Sequence, residues 1–241
     1  MRNLVTAFAL SVLVACRSGS GPRERLELCD HTTSSRCDEQ SIRRAAHNFL
    51  KNLVPGSRFT VVLVACTSDQ VETVYEINVP LHWGSGAAQK RRAWLEAEEA
   101  HLESLHLRRP ERCSGIVGSI WRVSRLLQES ERPVKELFVN SDFREVSAEL
   151  GFNFEKEVPS PAAFLARIRE KNLLPDLREI RVVIYGVHDD ASPDSRRWTS
   201  QQAAALRAAW TAAFKAMGVD NVEFRAAAPW EAPGEVAWSG R

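Results

Sequence analysis

Within LCDHTTSS, residues 28–35, the hard oxygen groups of Asp30, Thr32, Thr33, Ser34 and Ser35 crowd around one imidazole, His31. Asp30, Thr32 and Ser34 stand at i, i+2 and i+4. A turn placed just after a strand can aim three such residues at one point. Hydroxyls at the second and third positions can bind Mg²⁺ directly, and the carboxylate can act directly or through water. Mg²⁺ favours near-octahedral oxygen ligands and keeps several waters, so such a site leaves a position open. The same residues also suit a plainer task. Ser34 or Ser35 can accept a hydrogen bond from a helix N–H, and Ser35 with Asp38 has the spacing of a capping box, with Asp in place of the usual Glu.

Two further polar groups fall where strands end. Asn140-Ser141-Asp142 closes the run LFVNSD, and His188-Asp189-Asp190 follows IRVVIYGV. Ser114 stands at the start of an amphipathic segment. In open α/β sheets ligands bind beyond the carboxyl ends of the strands, where the strand order reverses. The ordinary reading of His188-Asp189-Asp190 is a solvated loop, and that of Asp142 alone is the start of a turn.

The elements that must position these residues read as follows. RLEL, residues 25–28, is a short strand leading into the quoted stretch. Ile42, Ala46, Phe49, Leu50 and Leu53 recur at helical spacing between Asp38 and Val54, and Pro55-Gly56 ends that helix. Residues 58–66, RFTVVLVAC, form a near-continuous β-branched run, the mark of a strand buried on both faces. Residues 71–79 follow after a short turn, too short for a parallel crossover, so they make an antiparallel edge. A thinly apolar helix runs from Gly86 to His106, and an amphipathic one from Ser114 to Gln128. Strands follow at residues 134–142 and 180–187, with a short helix from Pro161 to Lys171 between them, and residues 144–161 read as irregular. A helix capped by Thr199 and Gln202 carries Leu206, Trp210, Phe214 and Met217 on one face and stops at Gly218. Residues 222–227 close the sheet, and the chain after Pro229 reads as a tail. Trp121 and Trp210 belong to the core or its margin.

Asp30-x-Thr32-x-Ser34 resembles the Asp-x-Ser/Thr-x-Ser signature of von Willebrand factor A (vWA) domains, and Asp142 in VNSD stands where that family draws a second Asp from the end of its fourth long strand. Pro55-Gly56-Ser57-Arg58-Phe59 looks like the family's turn into its second strand. The resemblance spans residues 26–227. It implies a single three-layer α/β domain, vWA/Rossmann-like, whose mostly parallel sheet has the order 3-2-1-4-5-6 with strand 3 as an antiparallel edge and helices on both faces. It also implies a metal-ion-dependent adhesion-type site built from Asp30, Thr32, Ser34 and Asp142. Ser114 stands nearest the place of the family's further Thr, and Thr67 is a weaker candidate. The ion would be Mg²⁺, or Mn²⁺ or Ca²⁺, and its open position would take an acidic group from a protein partner. A metal-free interaction scaffold of the same fold is the alternative.

The chain has 241 residues and a formal net charge of +1, with basic and acidic residues interspersed, which argues against nucleic-acid binding. At the start, MRNLVTAFALSVLVAC pairs one Arg with an apolar run too short to span a bilayer. Leu13-Val14-Ala15-Cys16 resembles a bacterial lipobox, which implies a signal peptide over 1–15, lipidation of Cys16, a tether over 16–25, and a domain over 26–228 followed by a tail over 229–241. The expected address is the cell envelope, with the outer membrane favoured because Arg17 follows the Cys. The lipid anchor would be the only contact with the membrane. In that oxidising space Cys29, Cys37, Cys66 and Cys113 read as two disulfides of open pairing. A metal-dependent hydrolase using Asp30, His31, Asp142, His188 and Asp189 is a third reading. It lacks the Asp-x-Asp pattern, the Gly-x-Ser-x-Gly elbow and the P-loop.

Overall fold

Three long apolar runs lie at the centre of the protein: β2 (Arg58–Leu63), β4 (Val134–Asn140) and β7 (Arg181–Tyr185). With β1 (Arg23–Cys29), β3 (Glu72–Asn78) and β8 (Phe224–Arg225) they form one sheet of order β3-β2-β1-β4-β7-β8. Every neighbouring pair is parallel except β2 and β3. The computed structural model describes residues 21–32, 34–35, 37–187 and 199–231. The expected order and antiparallel edge are the observed ones. The last two strands become β7 and β8 because a small hairpin, β5 (Val146–Ser147) with β6 (Phe152–Asn153), precedes them. Sequence pattern reads that stretch as irregular, since two-residue strands carry no periodicity.

The first strand begins at Arg23, inside the segment that reads as a tether. Its Glu24 and Arg25 are buried in ion pairs. Glu24 accepts from Arg58 Nε at 2.7 Å and from Arg132 Nη1 at 2.9 Å, and Arg25 Nε donates to Glu136 at 2.9 Å. Composition alone reads RER as solvated, whereas partners 34, 108 and 111 residues away make the burial of Glu24 and Arg25 tolerable.

Helix α1 (Glu39–Lys51) covers one face of the sheet, packing Ile42, Ala46 and Phe49 near Phe59, Val61 and Ile77. On the other face lie α3 (Ile116–Glu129), α4 (Pro161–Glu170) and α5 (Ser200–Ala216). There Ile120, Phe164, Trp210 and Phe214 pack with Leu26, Leu28, Leu137 and Val139. Helix α2 (Ala87–Glu103) buries only Leu102 fully, in keeping with its thin apolar face. The expected capping box of α5 is present at Thr199 and Gln202. Trp210 is in the core and Trp121 is half-buried against it. Just beyond the expected end of the domain at 228, Trp230 lies on the rings of Phe138 and Tyr185, with centroids 5.6 and 5.5 Å away.

The start of α1 corrects one expectation. Asp38, not Ser35, is the cap, accepting from Ser41 N–H at 2.8 Å, while Ser35 Oγ accepts from Cys37 N–H at 3.4 Å. Cys37 is bonded to Cys29, which keeps the chain in the loop until Asp38.

Candidate metal centre at the sheet switch point

β1 and β4 are neighbours in register, Cys29 opposite Asn140, so their chains leave the sheet side by side. From there β1 leads back to β2 on one flank while β4 leads on to β7 on the other. The loops therefore part and leave a crevice between them. Asp30 N–H donates to Asn140 O at 2.9 Å, and Ser141 N–H donates to Tyr185 O at 3.0 Å, which fixes the two strand ends.

Asp30 is fully buried. Its Oδ2 accepts from Ser141 Oγ at 2.6 Å and from Ser114 Oγ at 3.0 Å, whereas its Oδ1 has no hydrogen-bond partner. Burial pushes the Asp30 carboxyl up to about 7, and the charge of Asp142 adds to that. The hydroxyls of Ser141, Ser114 and Thr32 oppose the rise. Asp142 Oδ1 accepts from Arg144 N–H at 3.1 Å, and its buried Oδ2 accepts no hydrogen bond. Thr32 Oγ1 lies 3.4 Å from Ser34 Oγ, with Thr32 buried and Ser34 half-buried.

The strand order with its antiparallel edge is the one that the vWA resemblance implies. No family model matches the chain, and no curated protein matches it. Among solved structures it is similar to the conserved hypothetical protein BatB from Bacteroides thetaiotaomicron, at 12% identity over 86% of this chain and 89% of that one, with a TM-score of 0.39. An aerotolerance-related membrane protein from Bacteroides fragilis NCTC 9343, carrying multiple mutations to serines, is similar at 15% identity over 86% of this chain and 90% of that one, TM-score 0.44. A von Willebrand factor type A protein from Catenulispora acidiphila is similar at 16% identity over 81% of this chain and 42% of that one, TM-score 0.38. These likenesses concern the path of the chain and say nothing of a ligand.

The five residues expected to hold a metal lie in loops at this edge of the sheet. Asp30, Ser114 and Thr32 form one connected set, Ser34 adjoins Thr32, and Asp142 faces Asp30 electrostatically. Thr67 stays out of it, because its hydroxyl donates to Asp69 Oδ1. His31 is spent on holding loops together, with Nδ1 2.9 Å from Cys37 O and Nε2 2.9 Å from Arg108 O. His188 and Asp189 lie outside the described residues.

Three residues near the crevice carry roles that spacing alone did not reveal. Ser141 makes the shortest hydrogen bond to Asp30. Its place in VNSD was visible, but its aim required the β1–β4 pairing. Arg144 brings its guanidinium Nε to 3.5 Å from Asp142 Oδ2. Glu145 is fully buried at the N-terminus of α3, where Oε2 accepts from Val117 N–H at 3.1 Å. Burial lifts its carboxyl to about 8, the N–H groups of Val117 and Ile116 oppose this, and the charge of Asp30 adds to it. Between Asp142 and Arg144, Phe143 takes a left-handed backbone with φ 62°. Its ring packs on Trp210, 5.0 Å between centroids, and its carbonyl accepts from Trp210 Nε1 at 2.9 Å, so the core holds the loop in that turn.

Both disulfides sit at this edge. Cys29–Cys37 closes the loop that carries Asp30, Thr32 and Ser34, with Cα atoms 5.6 Å apart. Cys66–Cys113, with Cα atoms 5.1 Å apart, ties the chain after β2 to the residue before Ser114. Glu111 lies within reach of that pair, but bonded sulfurs are not thiolate ligands. The next residue, Gly115, allows a close approach, since a Cβ there would lie 2.7 Å from Ala65 O.

The donor set fits a hard divalent cation. All five expected ligands offer oxygen, and two buried carboxylate oxygens, Asp30 Oδ1 and Asp142 Oδ2, accept no hydrogen bond.

Proposed function

We propose that this is a lipid-anchored envelope protein whose vWA-like domain binds a protein partner through a divalent cation held by Asp30, Thr32, Ser34, Ser114 and Asp142. The observation that carries the reading is that two buried carboxylate oxygens at the switch point, Asp30 Oδ1 and Asp142 Oδ2, accept no hydrogen bond, although Arg144 Nε lies 3.5 Å from the second. Such groups are costly unless something compensates them, and a cation does so directly.

The chain's own residues divide the work. Ser141 and Ser114 hold Asp30 Oδ2, which leaves Oδ1 available. Cys29–Cys37 limits how far the hydroxyl-bearing loop can open, and Cys66–Cys113 does the same for the segment carrying Ser114. When bound, the ion, Mg²⁺ or else Mn²⁺ or Ca²⁺, supplies an incomplete oxygen shell that accepts an acidic group from the partner. Anchoring would come from acyl chains on Cys16. Among the described residues no helix is long and apolar enough to cross a membrane. A hydrolase built on Asp30, His31, Asp142, His188 and Asp189 is the weaker reading, because both His31 ring nitrogens face carbonyl oxygens.

Calorimetric titration of the full chain with Mg²⁺ and Mn²⁺ tests the site. Binding to the wild type, abolished in Asp30→Ala, is the expected result. Heat identical in the two proteins sinks the assignment. Metabolic labelling with a radioactive fatty acid, retained by wild type and absent from Cys16→Ser, is the result expected for the anchor.

A further inference from the structure

Arg144 stands where a metal-binding crevice has least use for a cation. Its side chain is 10% exposed, as is that of Asp142, and its Nε lies 3.5 Å from Asp142 Oδ2. That separation exceeds the roughly 2.7–2.9 Å of a charge-assisted hydrogen bond, and Asp142 Oδ2 accepts none. The pair is thus an attraction between two poorly hydrated charges rather than a bidentate clamp. In the loop between β4 and β5, Arg144 has the acidic residues Asp142 and Glu145 near it in sequence. Across the crevice, at the end of the neighbouring strand, stands the buried carboxylate of Asp30, which feels the charge of Asp142. Two carboxylates in a water-poor crevice need a compensating charge for the fold to hold, and an arginine cannot lose its own.

We infer that Arg144 is a built-in competitor of the divalent cation: it compensates Asp142 when the crevice holds no ion and weakens ion binding by its charge. The inference rests on the metal reading above and adds regulation to it. Its physical content is a trade. Removing the positive charge leaves the metal-free crevice with uncompensated carboxylates, so that state loses stability. The same removal lifts a like-charge repulsion from an incoming divalent ion, so affinity rises. A side chain that only fills space would not move the two quantities in opposite directions.

The test uses the full chain as wild type, Arg144→Gln and Arg144→Lys. Each is titrated with Mn²⁺ and with Mg²⁺ by calorimetry, and each is melted in EDTA and in excess Mg²⁺. Arg144→Gln is expected to melt below wild type in EDTA, to bind the ions at least tenfold more tightly, and to gain more from Mg²⁺ on melting. Arg144→Lys, which keeps the charge, is expected to stay close to wild type in both measurements. Binding seen only in Arg144→Gln also supports the inference, with arginine then the dominant occupant of the crevice. If wild type binds the ions and Arg144→Gln binds them equally or more weakly, the competitor role is overturned while the metal site stands. Absence of binding in all three proteins overturns the metal site and the competitor role together.

Discussion

Neutralising Asp30 should stabilise the metal-free protein and abolish its response to metal. In the folded state burial and the neighbouring Asp142 raise this carboxyl from 3.8 to about 7. A carboxyl raised on folding binds its proton more tightly in the folded chain. Between pH 4 and 7 the unfolded chain gives that proton up first, so stability falls as pH rises through that window and levels off above it. At about 1.4 kcal/mol per pH unit, holding Asp30 ionised at pH 8 costs up to about 4 kcal/mol. Asp30→Asn removes that cost. The amide oxygen can take the place of Oδ2 and still accept from Ser141 and Ser114. The amide N–H₂ then falls where Oδ1 has no partner, which costs about 1–3 kcal/mol. The net expectation is a gain of about 2 kcal/mol at pH 8 in EDTA, which in a domain of this size raises Tm by roughly 4–8 °C. The assay is thermal melting at pH 5 and pH 8, with EDTA or with millimolar Mg²⁺. The gain should shrink at pH 5, and Mg²⁺ should raise Tm of the wild type alone. Asp30→Asn melting below wild type at pH 8 in EDTA would refute the reasoning.

Three further outcomes follow from the same structure. Glu27 is buried, accepts from Tyr185 O–H, and is raised to about 8 by desolvation, against the opposing charge of Arg25. Glu27→Gln should therefore match wild type near pH 4 and exceed it by up to about 5 kcal/mol at pH 9 in urea melts, the loss in wild type growing as pH climbs through the window from 4.5 to about 8. Replacing both Cys29 and Cys37 by Ser frees a loop with a sequence separation of 8 and should cost about 2.5 kcal/mol on denaturation, with weaker Mn²⁺ binding; unchanged affinity would show that the loop keeps its shape without the bond. Phe143→Ala should cost about 3–5 kcal/mol by emptying a ring site against Trp210 and Phe214, and it should also slacken Asp142, seen as weaker metal binding at a temperature well below the melt.

Alternation of buried strands and amphipathic helices was legible in the chain because each element answers a local rule. Runs such as FTVVL and LFVN have only one comfortable place, a strand covered on both faces, and Thr199 with Gln202 announces the start of α5. The spacing of Asp30, Thr32 and Ser34 was likewise legible, since one turn sets it. What local rules cannot supply is the company a residue keeps at long range. Arg23 and Glu24 looked like tether until Arg58 and Arg132 arrived as partners for Glu24. Ser35 looked like a cap until Cys37 was bound to Cys29. Four cysteines left three pairings open, and only the meeting of the loops at one sheet edge decided between them.

By itself, then, the sequence determined which segments must be strands or helices and which residues could offer oxygen to an ion, because hydrophobic period and side-chain chemistry are properties of neighbours along the chain. Only the tertiary structure decided that β1 lies beside β4. That pairing turns Ser141 onto Asp30, leaves one oxygen of each aspartate without a hydrogen bond, and brings Arg144 against Asp142. The physical reason is that desolvation and charge act through space, between groups more than a hundred residues apart in the chain for Asp30 and Ser141.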